Sequence, residues 1–225
     1  MHAKLVRISQ NSFFHILLIL LIQFYFLDYF RFFPMSEDAG FYAFMSKSVV
    51  NGSVLHKDIP LSSNSISIYF LAFFMNLFET SLEVFRMYYL FFFISLSVVI
   101  YFISKKEFQP VIAILISLST LALLHIPHIT LDLGRSSIIV SIFLLYTGIW
   151  FYFSSLRHKF YCYGASLGLA AINRETFLFI AVFTTMHLLY ELYFKRINTS
   201  QLKTYLIGGG VALSINAIIL TIYNS

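Results

Sequence analysis

Apolar side chains fill long stretches of this 225-residue chain, and polar residues are gathered into short segments between them. Apolar runs of about 18 or more residues can cross the roughly 30 Å hydrocarbon core of a bilayer as an α-helix. Seven spans can be drawn, at 13–33, 84–104, 110–126, 137–155, 160–172, 176–194 and 205–222. The fifth is short, and a broken helix is the alternative there. The pattern predicts an all-α membrane protein with about seven transmembrane helices, forming a single module over residues 1–225.

The longest interruption of the apolar pattern is a loop of about 50 residues between the first two spans, at residues 34–83. Residues 39–50 place apolar side chains at helical intervals, with Ser46 and Lys47 turned away, which is typical of a helix lying in the membrane interface. Asn51-Gly52 is a stop and turn signal. Residues 65–78 are apolar but only about fourteen in number, which favours an interfacial or re-entrant helix over a span.

The distribution of basic residues assigns the two sides of the membrane. If 65–78 stays in the interface, nine of the fifteen Lys and Arg residues fall on one side. These nine are Lys4, Arg7, Lys105, Lys106, Arg157, Lys159, Lys195, Arg196 and Lys203. The positive-inside rule makes that side cytoplasmic. If 65–78 crossed instead, the bias would be lost, so we expect a cytoplasmic amino terminus and an extracytoplasmic first loop.

Composition narrows the class of protein. Only 11% of the residues are charged and 59% are hydrophobic, whereas soluble proteins average about 25% charged residues. The net charge of +5 does not indicate nucleic-acid binding, because the basic residues lie in small groups between spans. The single cysteine, Cys162, excludes a disulfide framework within the chain. The amino terminus resembles a signal sequence, but its apolar part has full span length, which indicates an uncleaved first helix.

The acidic pair Glu37-Asp38 is the first candidate for chemistry. Together with Asp58 it places three of the ten acidic residues within about twenty positions at the external end of the first span. Acidic groups at the mouth of a membrane-embedded bundle are costly to place. A carboxylate there can act as a general base or hold a divalent cation such as Mg²⁺ or Mn²⁺. The alternative is a solvated acidic loop that helps to fix the orientation.

A second polar cluster, Asp132 to Arg135, lies between the third and fourth spans, with His125 and His128 nearby. Aspartate and histidine together can bind a metal, and an arginine guanidinium can bond two oxygens of a lipid phosphate at once. The alternative is a polar turn between helices.

Two further features interrupt apolar stretches. Arg174-Glu175 is either an ion pair that braces a broken helix or part of a donor-binding site. Gly208-Gly209-Gly210 lies near the start of the last span, which indicates close helix packing rather than a phosphate loop.

The first loop carries its motifs in a recognisable order. It runs Glu37-Asp38-Ala39-Gly40-Phe41-Tyr42, then Asn51-Gly52, then His56-Lys57-Asp58, then Ile68-Tyr69-Phe70-Leu71-Ala72. This order resembles the first external loop of the GT-C superfamily, the integral-membrane glycosyltransferases that use polyprenyl-phosphate sugars. The group includes the protein O-mannosyltransferases and the aminoarabinose transferases. The resemblance implies that Asp38 matches the catalytic aspartate of that loop.

One part of the loop departs from the pattern. Many relatives of the protein mannosyltransferase type have Asp-x-Lys-Pro-Pro just after the aromatic-basic-Asp triplet, with the lysine at the donor phosphate. Here the region is Leu61-Ser62-Ser63-Asn64-Ser65. Either Lys57 or an arginine takes over phosphate binding, or activity is impaired.

The resemblance implies an inverting glycosyltransferase of the cell envelope, whose acceptor is a lipid, a glycan or a protein. Asp38 would be the base, Glu37 and Asp58 would shape the site or hold a cation, and Lys57 with Arg135 would stabilise the leaving phosphate. The other expected donor-binding residues are Tyr42, Asp132 and Arg174. The alternative is a truncated or non-catalytic membrane subunit of the same fold that binds lipid or a partner protein. A small transporter or flippase is disfavoured, because few ionisable residues lie in mid-span.

Overall fold

The computed structural model describes residues 12–31, 37–55, 57–59, 66–125, 136–174 and 176–224. Within these ranges the chain forms nine α-helices and no named β-strand. The helices are α1 (Ser12–Arg31), α2 (Glu37–Val50), α3 (Ile66–Leu77), α4 (Leu82–Ser104), α5 (Pro110–His125), α6 (Ser136–Phe153), α7 (Lys159–Asn173), α8 (Thr176–Tyr193) and α9 (Thr199–Asn224). The all-helical prediction is confirmed over the described part of the chain.

Two of the described helices, α4 and α8, are both long enough and apolar enough to cross a membrane. Shorter apolar helical segments cover Ser12–Gln23, Ile66–Leu77, Pro110–Ser119 and Ile139–Phe153. Each predicted span coincides with a helix in position, but length and composition support only two spans among the described residues. A count of seven is therefore not supported by these helices and stays a prediction.

Two helices end in the same backbone arrangement with different residues. After α2, the Ser53 amide donates to the Ser48 carbonyl at 2.9 Å, and Gly52 has a φ of 95°. After α8, the Arg196 amide donates to the Glu191 carbonyl at 2.9 Å, and Lys195 has a φ of 56°. Both are Schellman motifs, in which a residue with left-handed backbone lets two amides satisfy the last helix carbonyls. The stop predicted at Asn51-Gly52 is confirmed.

The helices pack around α4 and α7. The α2–α3 pair lies against α4 and α6, while α1 and α5 flank α4 on another side. Helix α7 lies between α6 and α9, and α8 packs mainly on α7. The largest apolar cluster joins α2, α3, α4 and α6 and includes Met45, Leu71, Tyr88, Phe92 and Ile139. A separate cluster joins α7, α8 and α9.

Much of the outer surface is apolar. On α8, Phe179, Phe183 and Met186 are each at least 60% exposed, and Phe13 on α1 is 72% exposed. Monomeric soluble proteins rarely expose large contiguous apolar patches, and such patches mark membrane or protein contacts. The outer faces of α1 and α8 are therefore suited to contact with lipid or with another protein.

Helices α7 and α9 approach each other at glycines. A Cβ atom on Gly164 would overlap the carbonyl oxygen of Tyr205, and one on Gly208 would overlap that of Tyr161. A Cβ atom on Gly209 would lie 3.6 Å from the Gly164 carbonyl oxygen, which is an ordinary contact distance, and one on Gly210 would point into open space. The predicted close packing is confirmed at Gly208 and does not extend to Gly210. We call Gly164, Gly168, Gly208 and Gly209 the glycine seam.

Candidate functional site

The acidic pair of the first loop begins a helix. Glu37 and Asp38 are the first two residues of α2, and their side chains lie outside the described part of the chain. The amino end of a helix carries a partial positive charge that favours carboxylates. The helix thus places two acidic residues together at one end of a rigid element.

One face of α2 is packed into the protein and the other is exposed. Met45 and Ser46 are fully buried, while Phe41 and Phe44 are more than half exposed. The expectation that Ser46 turns away from the packed face is wrong, because its hydroxyl donates to the Ile68 carbonyl on α3 at 3.3 Å. A buried hydroxyl is tolerated where it finds such an acceptor. The helix predicted at 39–50 is confirmed, and its lying in a membrane interface stays a prediction.

Tyr42, expected to bind the donor, lies on the packed face of α2. It is only 8% exposed and belongs to the apolar cluster shared by α2, α3, α4 and α6. The Tyr42 side chain therefore packs in the core, and its binding of the donor stays a prediction.

Lys57 and Asp58 lie in a tight turn after α2. The Asp58 carboxylate accepts a hydrogen bond from the Val54 amide at 2.7 Å, and the Asp58 amide donates to the Val54 carbonyl at 2.9 Å. Leu55, inside this turn, is 1% exposed and anchors it to the core. Both Lys57 and Asp58 are exposed. Asp58 thus holds the turn together, and Lys57 presents a cation at its surface.

Arg174 follows directly on the last residue of α7. Its backbone is extended and its amide donates to the Ala170 carbonyl at 3.0 Å, so the helix ends here. The side chain is partly buried and has further interactions within the protein. Its predicted partner Glu175 lies outside the described residues, as do Asp132, Arg135, His128 and His56. Whether these residues come close to Glu37 and Asp38 stays a prediction.

The structure brings together a set of buried polar side chains that sequence reasoning missed. Asn173, the last residue of α7, is 1% exposed. Its Oδ1 accepts a hydrogen bond from the Ser67 amide of α3 at 3.0 Å. Its Nδ2 donates to the Ser141 hydroxyl of α6 at 2.8 Å, and that hydroxyl donates to the Ala170 carbonyl at 3.3 Å. The Ser67 amide and the Ser141 hydroxyl thus hold the carboxamide of Asn173 inside the bundle.

Two more side chains extend this arrangement. The hydroxyl of Tyr88 on α4 donates to the Ser67 carbonyl at 3.3 Å, and Ser46 bonds the next carbonyl of α3. We call Ser46, Ser67, Tyr88, Ser141 and Asn173 the polar junction. It joins five helices, and its one visible signal in the sequence is an asparagine at the end of an apolar run.

A second buried polar cluster joins α1 to α4 and α5. His15 Nδ1 lies 2.7 Å from the Tyr101 hydroxyl, and both residues are almost fully buried. Gln23 donates to Ser97 at 2.5 Å, and Ser117 donates to the Ser97 carbonyl at 2.8 Å. These bonds orient α1 against the bundle.

No group of three or more His, Cys, Asp or Glu residues that could hold a metal ion occurs among the described residues. Those residues exclude the side chains of Glu37 and Asp38, so the predicted cation stays a prediction. Comparison with protein-family models, curated proteins and solved structures finds no match to this chain.

Proposed function

We propose that the protein is a GT-C-like glycosyltransferase that transfers a sugar from a polyprenyl-phosphate donor to an acceptor on the extracytoplasmic face. The observation that carries this proposal is the docking of the first loop. Helix α2 starts at Glu37-Asp38, packs on α3, and is connected to α4, α6 and α7 through the polar junction. A catalytic base must be held in a fixed position relative to its substrate, and a docked helix can provide this.

In the proposed reaction Asp38 removes the proton from an acceptor hydroxyl or amine. The freed oxygen or nitrogen attacks the anomeric carbon while the bond from that carbon to the phosphate oxygen breaks. A single displacement of this kind inverts the anomeric configuration. The polyprenyl phosphate leaves with an added negative charge, which Lys57 and Arg135 would stabilise through charge-assisted hydrogen bonds. Arg174 and Asp132 would complete the donor site, and Glu37 would shape it or hold a cation.

The membrane setting is part of the proposal. The two helices with span length, the exposed apolar faces of α1 and α8, and the charge bias along the chain support a multi-pass protein of the cell membrane. In this orientation the first loop faces outward, where a lipid-linked sugar and its acceptor meet.

The test compares purified wild-type protein with Asp38→Asn in lipid nanodiscs that contain radiolabelled polyprenyl-phosphate sugars. Loss of a general base lowers the rate by about 10²- to 10⁴-fold, so we expect transfer by wild type and at least about a hundredfold loss in the variant. The control is Glu107→Gln, which neutralises an exposed carboxylate on the opposite side of the proposed topology. Full transfer by Asp38→Asn at wild-type expression would refute the proposal.

A non-catalytic subunit of the same fold, which binds lipid or a partner protein, is the second candidate. It is favoured by the structural roles of two expected site residues, since Tyr42 packs in the core and Asp58 closes its own turn. This candidate predicts that wild type and Asp38→Asn bind the lipid-linked sugar equally well without turnover.

A further inference from the structure

The polar junction connects the end of α7 to the start of α3. Ser67 is the second residue of α3, and the first amides of a helix have no acceptor within that helix. Asn173 Oδ1 supplies the acceptor at 3.0 Å, so a side chain of α7 caps α3 from outside. The same carboxamide holds α6 through Ser141 at 2.8 Å. A single buried side chain thus fixes three helices relative to one another.

The connection continues from α3 to α2. The Ser46 hydroxyl bonds the Ile68 carbonyl, one residue beyond the amide that Asn173 caps. Met45 and Leu71, both fully buried, belong to the same apolar cluster. Glu37 begins α2 nine residues before Ser46, which is about 14 Å along a helix axis. A small tilt of α2 about Ser46 would therefore displace the acidic end.

We propose that Asn173 is a positioning residue, which holds the α2–α3 pair on α6 and α7 and thereby sets the place of Asp38 for the transfer reaction. This inference rests on the proposed function for its catalytic consequence. Its structural part rests on the contacts of Asn173 with α3 and α6 and on the packing of α2 on α3. Asn173 does not touch the reacting groups in this scheme and acts only through α3 and α2.

The structural part is tested by hydrogen–deuterium exchange of the full-length protein in nanodiscs, comparing wild type with Asn173→Leu. Leucine keeps the approximate size of the side chain and removes the acceptor for Ser67 and the donor to Ser141. We expect amides of α2 and α3 to exchange about tenfold faster, which corresponds to about 1.4 kcal/mol. Helix α9 packs on α7 through the glycine seam instead, so its amides are expected to keep their wild-type exchange rates.

Two further variants keep the test decisive. Ser141→Ala leaves Asn173 in place and removes the hydroxyl that its Nδ2 bonds, so it is expected to accelerate exchange in α3 by a smaller factor. Ser117→Ala removes a buried hydrogen bond between α5 and α4 and is the matched control. It is expected to leave α2 and α3 unchanged. Unchanged exchange in α3 of Asn173→Leu and Ser141→Ala, or equal acceleration in α9, would overturn the inference.

The catalytic part is tested by turnover with the same variants. A misplacement of about 1 Å can cost about a hundredfold in rate. We expect Asn173→Leu to lower kcat by at least about tenfold at saturating donor, because the displaced base acts after the donor is bound. Loosened α2 and α3 with an unchanged kcat would refute the positioning role. Absence of turnover in wild type would instead refute the proposed function, and the exchange pattern would still decide whether Asn173 holds α2 and α3.

Discussion

Helix α7 is held in two different ways along its length. In its middle, Gly164 and Gly168 meet α9 with backbone against backbone, and no side chain separates the two helices at Gly164. At its end, Asn173 meets α3 and α6 through paired donors and acceptors. The first contact depends on the absence of a Cβ atom, and the second on the presence of one particular carboxamide.

The difference shows which interactions confer specificity in a bundle with an apolar exterior. Where the surroundings are hydrocarbon, burial of apolar surface gives no drive for helices to associate, so close packing and hydrogen bonds between helices decide the arrangement. The glycine seam supplies packing and the polar junction supplies hydrogen bonds. Substitutions at the two regions should therefore differ in size and in their dependence on side-chain volume.

The largest effect is expected from Gly208→Leu in the glycine seam. A Cβ there would overlap the Tyr161 carbonyl oxygen and approach the Ala165 nitrogen to 3.0 Å. Overpacking costs about 1–3 kcal/mol, and backbone atoms cannot rotate away, so we expect the upper end of that range. The measurement is the apparent Tm by fluorescence-detected size exclusion. Gly210→Leu, on the same helix with open space around it, is the control, and equal destabilisation by both would contradict the seam.

The next effect in size is expected from Asn173→Leu in the polar junction. Leaving buried donors and acceptors unpaired costs about 1–3 kcal/mol, which should lower the apparent Tm without the overlap that Gly208→Leu produces. Asn76→Leu makes the same substitution at an exposed position of α3. A drop in Tm no larger than that of Asn76→Leu would show that the carboxamide of Asn173 adds nothing to stability.

A smaller effect is expected from Tyr88→Phe. The change removes the hydroxyl that bonds the Ser67 carbonyl but keeps the ring contacts with Phe74 and Phe92. Hydrogen bonds between membrane helices average about 0.6 kcal/mol, so we expect a loss of about that size in a chemical-denaturation experiment. Tyr190→Phe on the exposed face of α8 should lose nothing, and a loss above about 2 kcal/mol for Tyr88→Phe would contradict this view of its hydroxyl.

The smallest effect, and one of opposite sign, is expected from Gly209→Ala. Apart from the backbone of its own helix, the described residues place only the Gly164 carbonyl oxygen within 4 Å of the new methyl group, at 3.6 Å. Alanine is favoured over glycine in a helix by about 0.8–1.0 kcal/mol, so the variant should be as stable as wild type or slightly more stable. Gly168→Ala is the contrast, since its methyl group would approach Ala212 Cβ to 2.9 Å. A higher Tm for Gly168→Ala than for Gly209→Ala in thermal melts would contradict the arrangement of the glycine seam.

Sequence reasoning succeeded where a feature depends on neighbouring residues. The apolar runs predicted helices at the positions of α1 and α3 to α9, and the helical spacing of residues 39–50 predicted α2. Asn51-Gly52 predicted the end of α2. It failed for Ser46, which was expected to face away from the packed side of α2, and it missed the hydrogen bonds of Asn173. From the sequence alone a polar side chain is expected at the surface, because its buried acceptor or donor is not known. The Ser141 and Ser67 partners of Asn173 are 32 and 106 residues away along the chain.

The candidate site also has features that depend on neighbouring residues and features that depend on distant ones. The acidic pair and the helix predicted just after it follow from the sequence, because a break in the apolar pattern and a helical repeat are local properties. The docking of that helix does not follow from the sequence, because it depends on contacts between Ser67, Ser141 and Asn173, which lie on three different helices. The sequence by itself determined an apolar, all-helical chain with an acidic first loop. Only the tertiary structure decided what holds that loop, because buried hydrogen bonds pair residues by distance in space rather than by distance along the chain.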